Sequence, residues 1–182
     1  HEAFTAMRKR GAYITDIVVL IVAADDGIMP QTIESIEHIK EAKVPFLVAV
    51  NKTDKPGANT DKVLGQLAER EIVVEQYGGS VVCSMISALK RDNLDDLLEK
   101  IILVADAELD EVIRSNPNRD AIGTVIEAEL SRAKGPLATM LVQNGTLKRG
   151  DHIAAGAVSG RVKALFDENN RDMEEAGPST PV

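Results

Sequence analysis

A single cysteine, Cys83, excludes an internal disulfide and fits a reducing compartment. No apolar run approaches the roughly 18–20 residues that span a bilayer, and no secretory signal opens the chain, so no membrane is expected as a partner. Basic residues are outnumbered, 21 against 29, and the net charge of −8 argues against a protein that coats nucleic acid generally. No Gly-Lys dipeptide occurs, so there is no G-x-x-x-x-G-K-[ST] loop to cradle phosphates. No metal-ligand cluster or nucleophile–base pair supports a small-molecule enzyme on a doubly wound sheet. Aromatics make up 3% and Trp is absent, but 44% apolar residues are ample for a core. A length of 182 residues suits one large domain or two small ones, and an opening on His1 rather than Met points to a piece of something longer. The expectation is a soluble, intracellular, incomplete chain.

What is present changes texture near residue 115. Before it, short Val- and Ile-rich runs alternate with helical stretches. Asp16 to Ala24 is a nearly unbroken apolar run, as expected of a strand covered on both faces. Pro30 opens a helix with Ile33, Ile36 and Ile39 on one face. Phe46 to Val50 is a second strand, followed by a loop from Asn51 to Asn59. Thr60 is the expected cap of a helix running to about Glu71, with Val63, Leu64 and Leu67 inward. Val81 to Ile86 is a third strand. A long helix follows over 94–113, apolar at Leu97, Leu98, Ile101, Ile102 and Ala105. Such alternation predicts a parallel sheet with ligands at the carboxyl ends of its strands.

Residues 116–121 read as a polar linker, and beyond it the period switches to two. Ile126, Ala128 and Leu130 alternate with Val125, Glu127 and Glu129, and turn signals recur at short intervals, predicting a small antiparallel barrel that does not close by Val182. The fold class expected is α/β, a parallel sheet with helices (1–115), then the linker (116–121) and a partial antiparallel β-barrel (122–182). Residues 1–110 hold 12 bases and 19 acids, and residues 111–182 hold 9 and 10. Over 130–163, Arg132, Lys134, Lys148, Arg149, Arg161 and Lys163 face only Asp151. This local excess suits either contact with a phosphate backbone or a solvated barrel surface.

Two loops at strand ends carry the chemistry. In Asn51-Lys52-Thr53-Asp54, the Asp54 carboxylate offers two acceptor oxygens that match the adjacent N1–H and N2–H₂ donors of guanine. Adenine lacks that donor pair and would leave the carboxylate unpaired. Asn51 offers both a donor and an acceptor, and Lys52 can lay its aliphatic stem across a flat ring. In the second loop, Ser87-Ala88-Leu89, a small residue allows a backbone N–H to approach a carbonyl such as guanine O6, and Ser87 can brace the turn. His38 and His152 read as surface residues, and Cys83 as a buried strand residue.

With these motifs the chain resembles the bacterial-type translation initiation factor two family of translational GTPases. The resemblance rests on His1-Glu2-Ala3-Phe4, the run from Ala23 to Thr32, and Asn51-Lys52-Thr53-Asp54-Lys55-Pro56-Gly57-Ala58-Asn59. It extends through 141–147 and 175–182, and so covers essentially the whole chain. The resemblance implies that 1–115 is the C-terminal half of a P-loop GTPase-type parallel sheet, that Asn51, Lys52 and Asp54 are the guanine-specificity motif and that Ser87, Ala88 and Leu89 are the last guanine motif. It implies that His1 is the histidine after Asp-Thr-Pro-Gly that positions the hydrolytic water, and that residues 2–12 are the switch helix. GTP and GDP would be the ligands, with Mg²⁺ in the parent protein only. The ribosome and its RNA would be partners, and initiator tRNA would bind through domains outside this chain. The compartment expected is a bacterial cytoplasm, with mitochondrion and plastid open. An elongation-type factor and a non-catalytic RNA-binding module remain the alternatives.

The departures set the expected strength of binding. The phosphate loop, the first switch threonine and the Asp-Thr-Pro-Gly aspartate are all absent, so no metal-binding residue is assigned. A base-only site gains about two charge-assisted hydrogen bonds, roughly 3–6 kcal/mol, against an association cost of at least about 4 kcal/mol. Millimolar or weaker nucleotide binding and no hydrolysis by this chain alone are expected, with Asp16–Ala24 as an exposed sheet edge.

Overall fold

Val-rich runs form the centre of the first half, where side chains on both faces of a strand need apolar cover. In the computed structural model, which describes residues 2–109, 113–132 and 135–182, two such runs are Val18–Ala23 (β1) and Phe46–Asn51 (β2), and the short strand Cys83–Met85 (β3) follows Val81 and Val82. They pair in parallel in the order β1-β2-β3, with Val18 opposite Phe46 and Val48 opposite Cys83. Helices Glu2–Ile14 (α1), Pro30–Ala42 (α2), Thr60–Ala68 (α3) and Leu94–Leu109 (α4) complete this half. The chain divides into two compact units, His1–Ile113 and Arg114–Val182.

One core joins Leu20, Val22, Val48, Val50 and Cys83 of the sheet to Ile36 and Ile39 of α2 and Val63, Leu64 and Leu67 of α3. On the other face α4 packs on β2 and β3. There the Ser84 hydroxyl, fully buried, donates to Asp96 Oδ2 at 2.7 Å, and Lys100 Nζ reaches both the Cys83 carbonyl and Asp96. Burial pushes the Cys83 thiol up to about 11, which leaves it an inert core residue.

Three local expectations change. β1 lies at the sheet edge, as expected, but is not covered on both faces, since Ile21 remains 59% exposed. Asn59, not Thr60, caps α3 by accepting the Lys62 N–H at 2.9 Å, and the helix ends at Ala68. In α4 the inward stripe passes through Leu97 and Ile101, both half-buried, to the buried Val104, whereas Leu98 and Ile102, each one residue and so about 100° further round the helix, stay exposed. Among the described residues no helix is long and apolar enough to cross a membrane.

In the second unit, Ile122–Ser131 (β4) and Gly135–Asn144 (β5) form a long antiparallel ribbon that Thr180–Pro181 (β12) joins on the β5 side. Leu147–Lys148 (β6) pairs with Glu175–Ala176 (β11), His152–Ala155 (β7) with Val158–Arg161 (β8), and Leu165–Phe166 (β9) with Asp172–Met173 (β10). A small core gathers Val142, Leu147, Leu165 and Ala176. The β4–β5 register shifts between Val125 and Glu127, and beyond this irregularity Leu130 stands 80% exposed. Residues 116–120 are tied to the Asn144–Thr146 turn: Asn116 N–H donates to Asn144 Oδ1, and Thr146 donates to the carbonyls of Pro117 and Arg119. Gly145 is required there, with φ +74° and a Cβ position only 2.2 Å from the Asp120 carbonyl oxygen.

Candidate functional site

The carboxyl ends of three parallel strands lie along one edge of the sheet, and each carries a polar loop: Ala24–Asp26 after β1, Asn51–Asp54 at the end of β2, and Ser87–Leu89 after β3. Asn51 closes β2 and its Oδ1 accepts two backbone N–H groups, that of Lys52 at 2.7 Å and that of Ala88 at 3.0 Å. Lys52 then takes a left-handed backbone (φ 64°), and the Lys55 N–H returns to the Lys52 carbonyl at 3.1 Å. The four-residue turn so formed holds Asp54 at its third position.

Thr53 anchors the turn to the next loop, since both its N–H and its hydroxyl donate to the Ile86 carbonyl, at 3.3 and 3.0 Å. The Ser87 hydroxyl donates to Asp54 Oδ1 at 2.6 Å and accepts the Lys90 N–H at 3.2 Å. That bond holds the Asp54 carboxyl below its ordinary value, with Lys90 and Lys55 adding attraction. A carboxylate has about four acceptor positions, so Ser87 leaves both oxygens of the half-buried Asp54 able to take further donors.

Asn51, Asp54, Ser87 and Ala88 are therefore brought together by direct hydrogen bonds. The Ala88 N–H, expected to face a ligand carbonyl, donates here to Asn51. Leu89 sits beside the pair of loops, 86% exposed. His1 lies outside the described residues. His38, expected on the surface, is half-buried on α2 with Nε2 shielded from water and without a hydrogen-bond partner; His152 is exposed. Among the described residues no group of three or more His, Cys, Asp or Glu side chains is placed to hold a metal ion.

Two residues of the edge escaped the sequence reading. Asp25 and Asp26, directly after β1, take the ammonium groups of the neighbouring turn: Lys55 Nζ lies 2.9 Å from Asp25 Oδ2, and Lys52 Nζ lies 3.1 Å from Asp26 and 3.4 Å from Asp25 Oδ1. The bond from Lys55 and the charges of both lysines hold the Asp25 carboxyl at about 2, and Asp26 raises the Lys52 ammonium. The available signal was their position, an acidic pair at the carboxyl end of a buried strand. The basic stretch is also altered by folding. Lys148 lies 3.7 Å from Glu175, Arg149 lies 3.8 Å from Glu174, and Arg161 Nε donates to the Gly150 carbonyl. Lys134 lies outside the described residues.

Residues 1–107 match the family of the Elongation factor Tu GTP binding domain, and residues 120–182 match Elongation factor G domain 2. The whole chain is 60% identical to Translation initiation factor IF-2 of Pelotomaculum thermopropionicum and 58% identical to that of Prochlorococcus marinus. It spans only 18% and 16% of those relatives' lengths. Among solved structures, GDP-bound aIF5B from Aeropyrum pernix superposes on 100% of the chain, and on 38% of its own, with a TM-score of 0.80 at 24% identity. Elongation factor SelB from Methanococcus maripaludis, in complex with the GTP analogue GPPNHP, covers 100% of this chain and 39% of its own, with a TM-score of 0.70 at 21% identity. These two likenesses establish the fold, a parallel α/β sheet followed by an antiparallel β domain. With the sequence comparisons added, the chain belongs to the family of the Elongation factor Tu GTP binding domain and is similar along its whole length to Translation initiation factor IF-2 of these two bacteria.

Proposed function

We propose that this chain carries the guanine-recognising part of a GTP-binding domain (1–115), joined through 116–121 to a translation-factor β domain (122–182), within a ribosome-dependent GTPase of translation initiation. In that reading Asp54 receives N1–H and N2–H₂ of guanine. Asn51 and Ala88 fix the loop around O6, the Lys52 stem covers one face of the base, and Leu89 flanks it. GTP and GDP are the ligands, with Mg²⁺ in the parent protein. The parent acts in the cytoplasm on the ribosome and its RNA, promoting initiator-tRNA placement and subunit joining.

The observation that carries the reading is the joining of two strand-end loops around one carboxylate: Ser87 donates to Asp54 while Asn51 accepts from Ala88. Nothing in a capped polar turn requires that 37-residue connection. Asp54→Asn tests it by NMR titration with GDP, XDP and ADP at millimolar concentration. An amide in place of the carboxylate turns a donor toward the N2 amine of guanine, which suits the 2-oxo group of xanthine instead. The unaltered chain is expected to show shifts at the Asp54 and Ala88 amides with GDP and not with ADP. The variant should lose the GDP response by at least about tenfold and gain one to XDP. Equal responses to GDP and ADP in the unaltered chain would sink the proposal.

A further inference from the structure

We propose that Asp25 is a positioning residue for guanine recognition, tying both ends of the turn that presents Asp54; the inference rests on the guanine reading above. The turn runs Lys52-Thr53-Asp54-Lys55 and is closed by the Lys55 N–H on the Lys52 carbonyl. Its first and fourth side chains converge on one carboxylate, Lys52 Nζ at 3.4 Å from Oδ1 and Lys55 Nζ at 2.9 Å from Oδ2. Asp25 thus acts as a brace across the turn, on the side away from Ser87.

Three features separate this contact from an ordinary surface ion pair. The Asp25 side chain is only 19% exposed, and its Oδ1 is shut off from water without a hydrogen bond, so Lys55 holds the carboxylate by a hydrogen bond and Lys52 by charge alone, with the attraction screened less than at a rim. The backbone on either side of Asp25 is fixed as well: the Ala24 N–H donates to the Asn51 carbonyl at 2.7 Å, and the Asn59 N–H donates to the Ala24 carbonyl at 2.9 Å. The brace therefore stands on a rigid base. Finally, Lys52 holds an uncommon left-handed backbone, a conformation that persists where its surroundings over-determine it. Asp26 makes a single contact with Lys52 from a more exposed position, 55% accessible, and does not reach Lys55. The consequence for the ligand is pre-organisation: a turn held before binding loses less freedom on binding.

The test uses this chain with Asp25→Asn, reading amide hydrogen exchange by NMR without nucleotide. The Lys55 amide, which closes the turn, is expected to exchange at least about tenfold faster, while the Val48 amide, bonded within the sheet to Val82, stays within about twofold. Added to Lys52→Ala with Lys55→Ala, the same change should have almost no further effect, because its partners are already gone. With GDP, the initial slope of the Ala88 shift should fall at least about fivefold in Asp25→Asn. Exchange at Lys55 within about twofold of the parent, acceleration shared equally by Val48, or an unchanged GDP slope would each overturn the proposal. A chain that shows no GDP response before substitution would instead overturn the guanine reading, while the exchange measurement would still judge the brace.

Discussion

At the scale of single residues, the edge works through short contacts whose chemistry can be removed one atom at a time. Ser87→Ala deletes the hydroxyl that donates to Asp54, so the Asp54 carboxyl should move up toward its ordinary value of 3.8, read by carbon-13 NMR titration of that carboxyl. The sign for stability follows. A carboxyl held low in the folded chain contributes stability that is present above its unfolded value and is lost as pH falls through the folded one. Ser87→Ala should shrink that acid-side loss, visible as a flatter urea-midpoint profile below about pH 4. Asn51, Asp54 and Ser87 were legible as candidates because their spacing to a strand end is local. The Asp25 brace was not, because a pairing of residue 25 with residues 52 and 55 exists only once two parallel strands stand side by side.

At the scale of elements, helix α3 shows how a boundary can slip by one residue without changing the helix face. Thr60 and Asn59 are both competent caps; the folded loop gives the role to Asn59, whose own N–H is held by Ala24. Asn59→Ala should therefore cost about 1 kcal/mol, within a range of roughly 0.5–2, in a urea unfolding experiment, and Thr60→Ala markedly less. A loss confined to Thr60 would contradict the assignment. The apolar stripe of α3, at Val63, Leu64 and Leu67, was predictable from spacing alone. In α4, apolar residues occupy more than one face, so of the five that spacing selected Leu97, Ile101 and Ala105 are half-buried, Leu98 and Ile102 are exposed, and packing adds Val104. For β4, the strand was visible in the period-two pattern, but the register shift after Val125 was not.

At the scale of the whole molecule, an acidic surface and an open sheet edge pull in opposite directions. The charge of −8 at neutral pH keeps copies apart, whereas β1 offers unpaired backbone groups along a strand with Ile21 exposed. As pH falls toward the isoelectric value near 4.9 the repulsion vanishes, so light scattering should show self-association rising there and receding at pH 7 and above. Ile21→Lys, placing charge on the open face, should lower that scattering without loss of the folded signal. Folding also reshapes the basic stretch, because Glu174 and Glu175 return from far along the chain to Arg149 and Lys148. By itself the sequence determined the class of the fold, the parallel and then antiparallel order of its strands, and the family, because periodicity and contiguous motifs are properties of neighbouring residues. Only the tertiary structure decided which cap is used, which face of α4 is buried, which charges are neutralised and which carboxylate braces the Asp54 turn. Each of those depends on groups far apart in the chain meeting within hydrogen-bonding or ion-pair distance, and that proximity is set by packing rather than by local pattern.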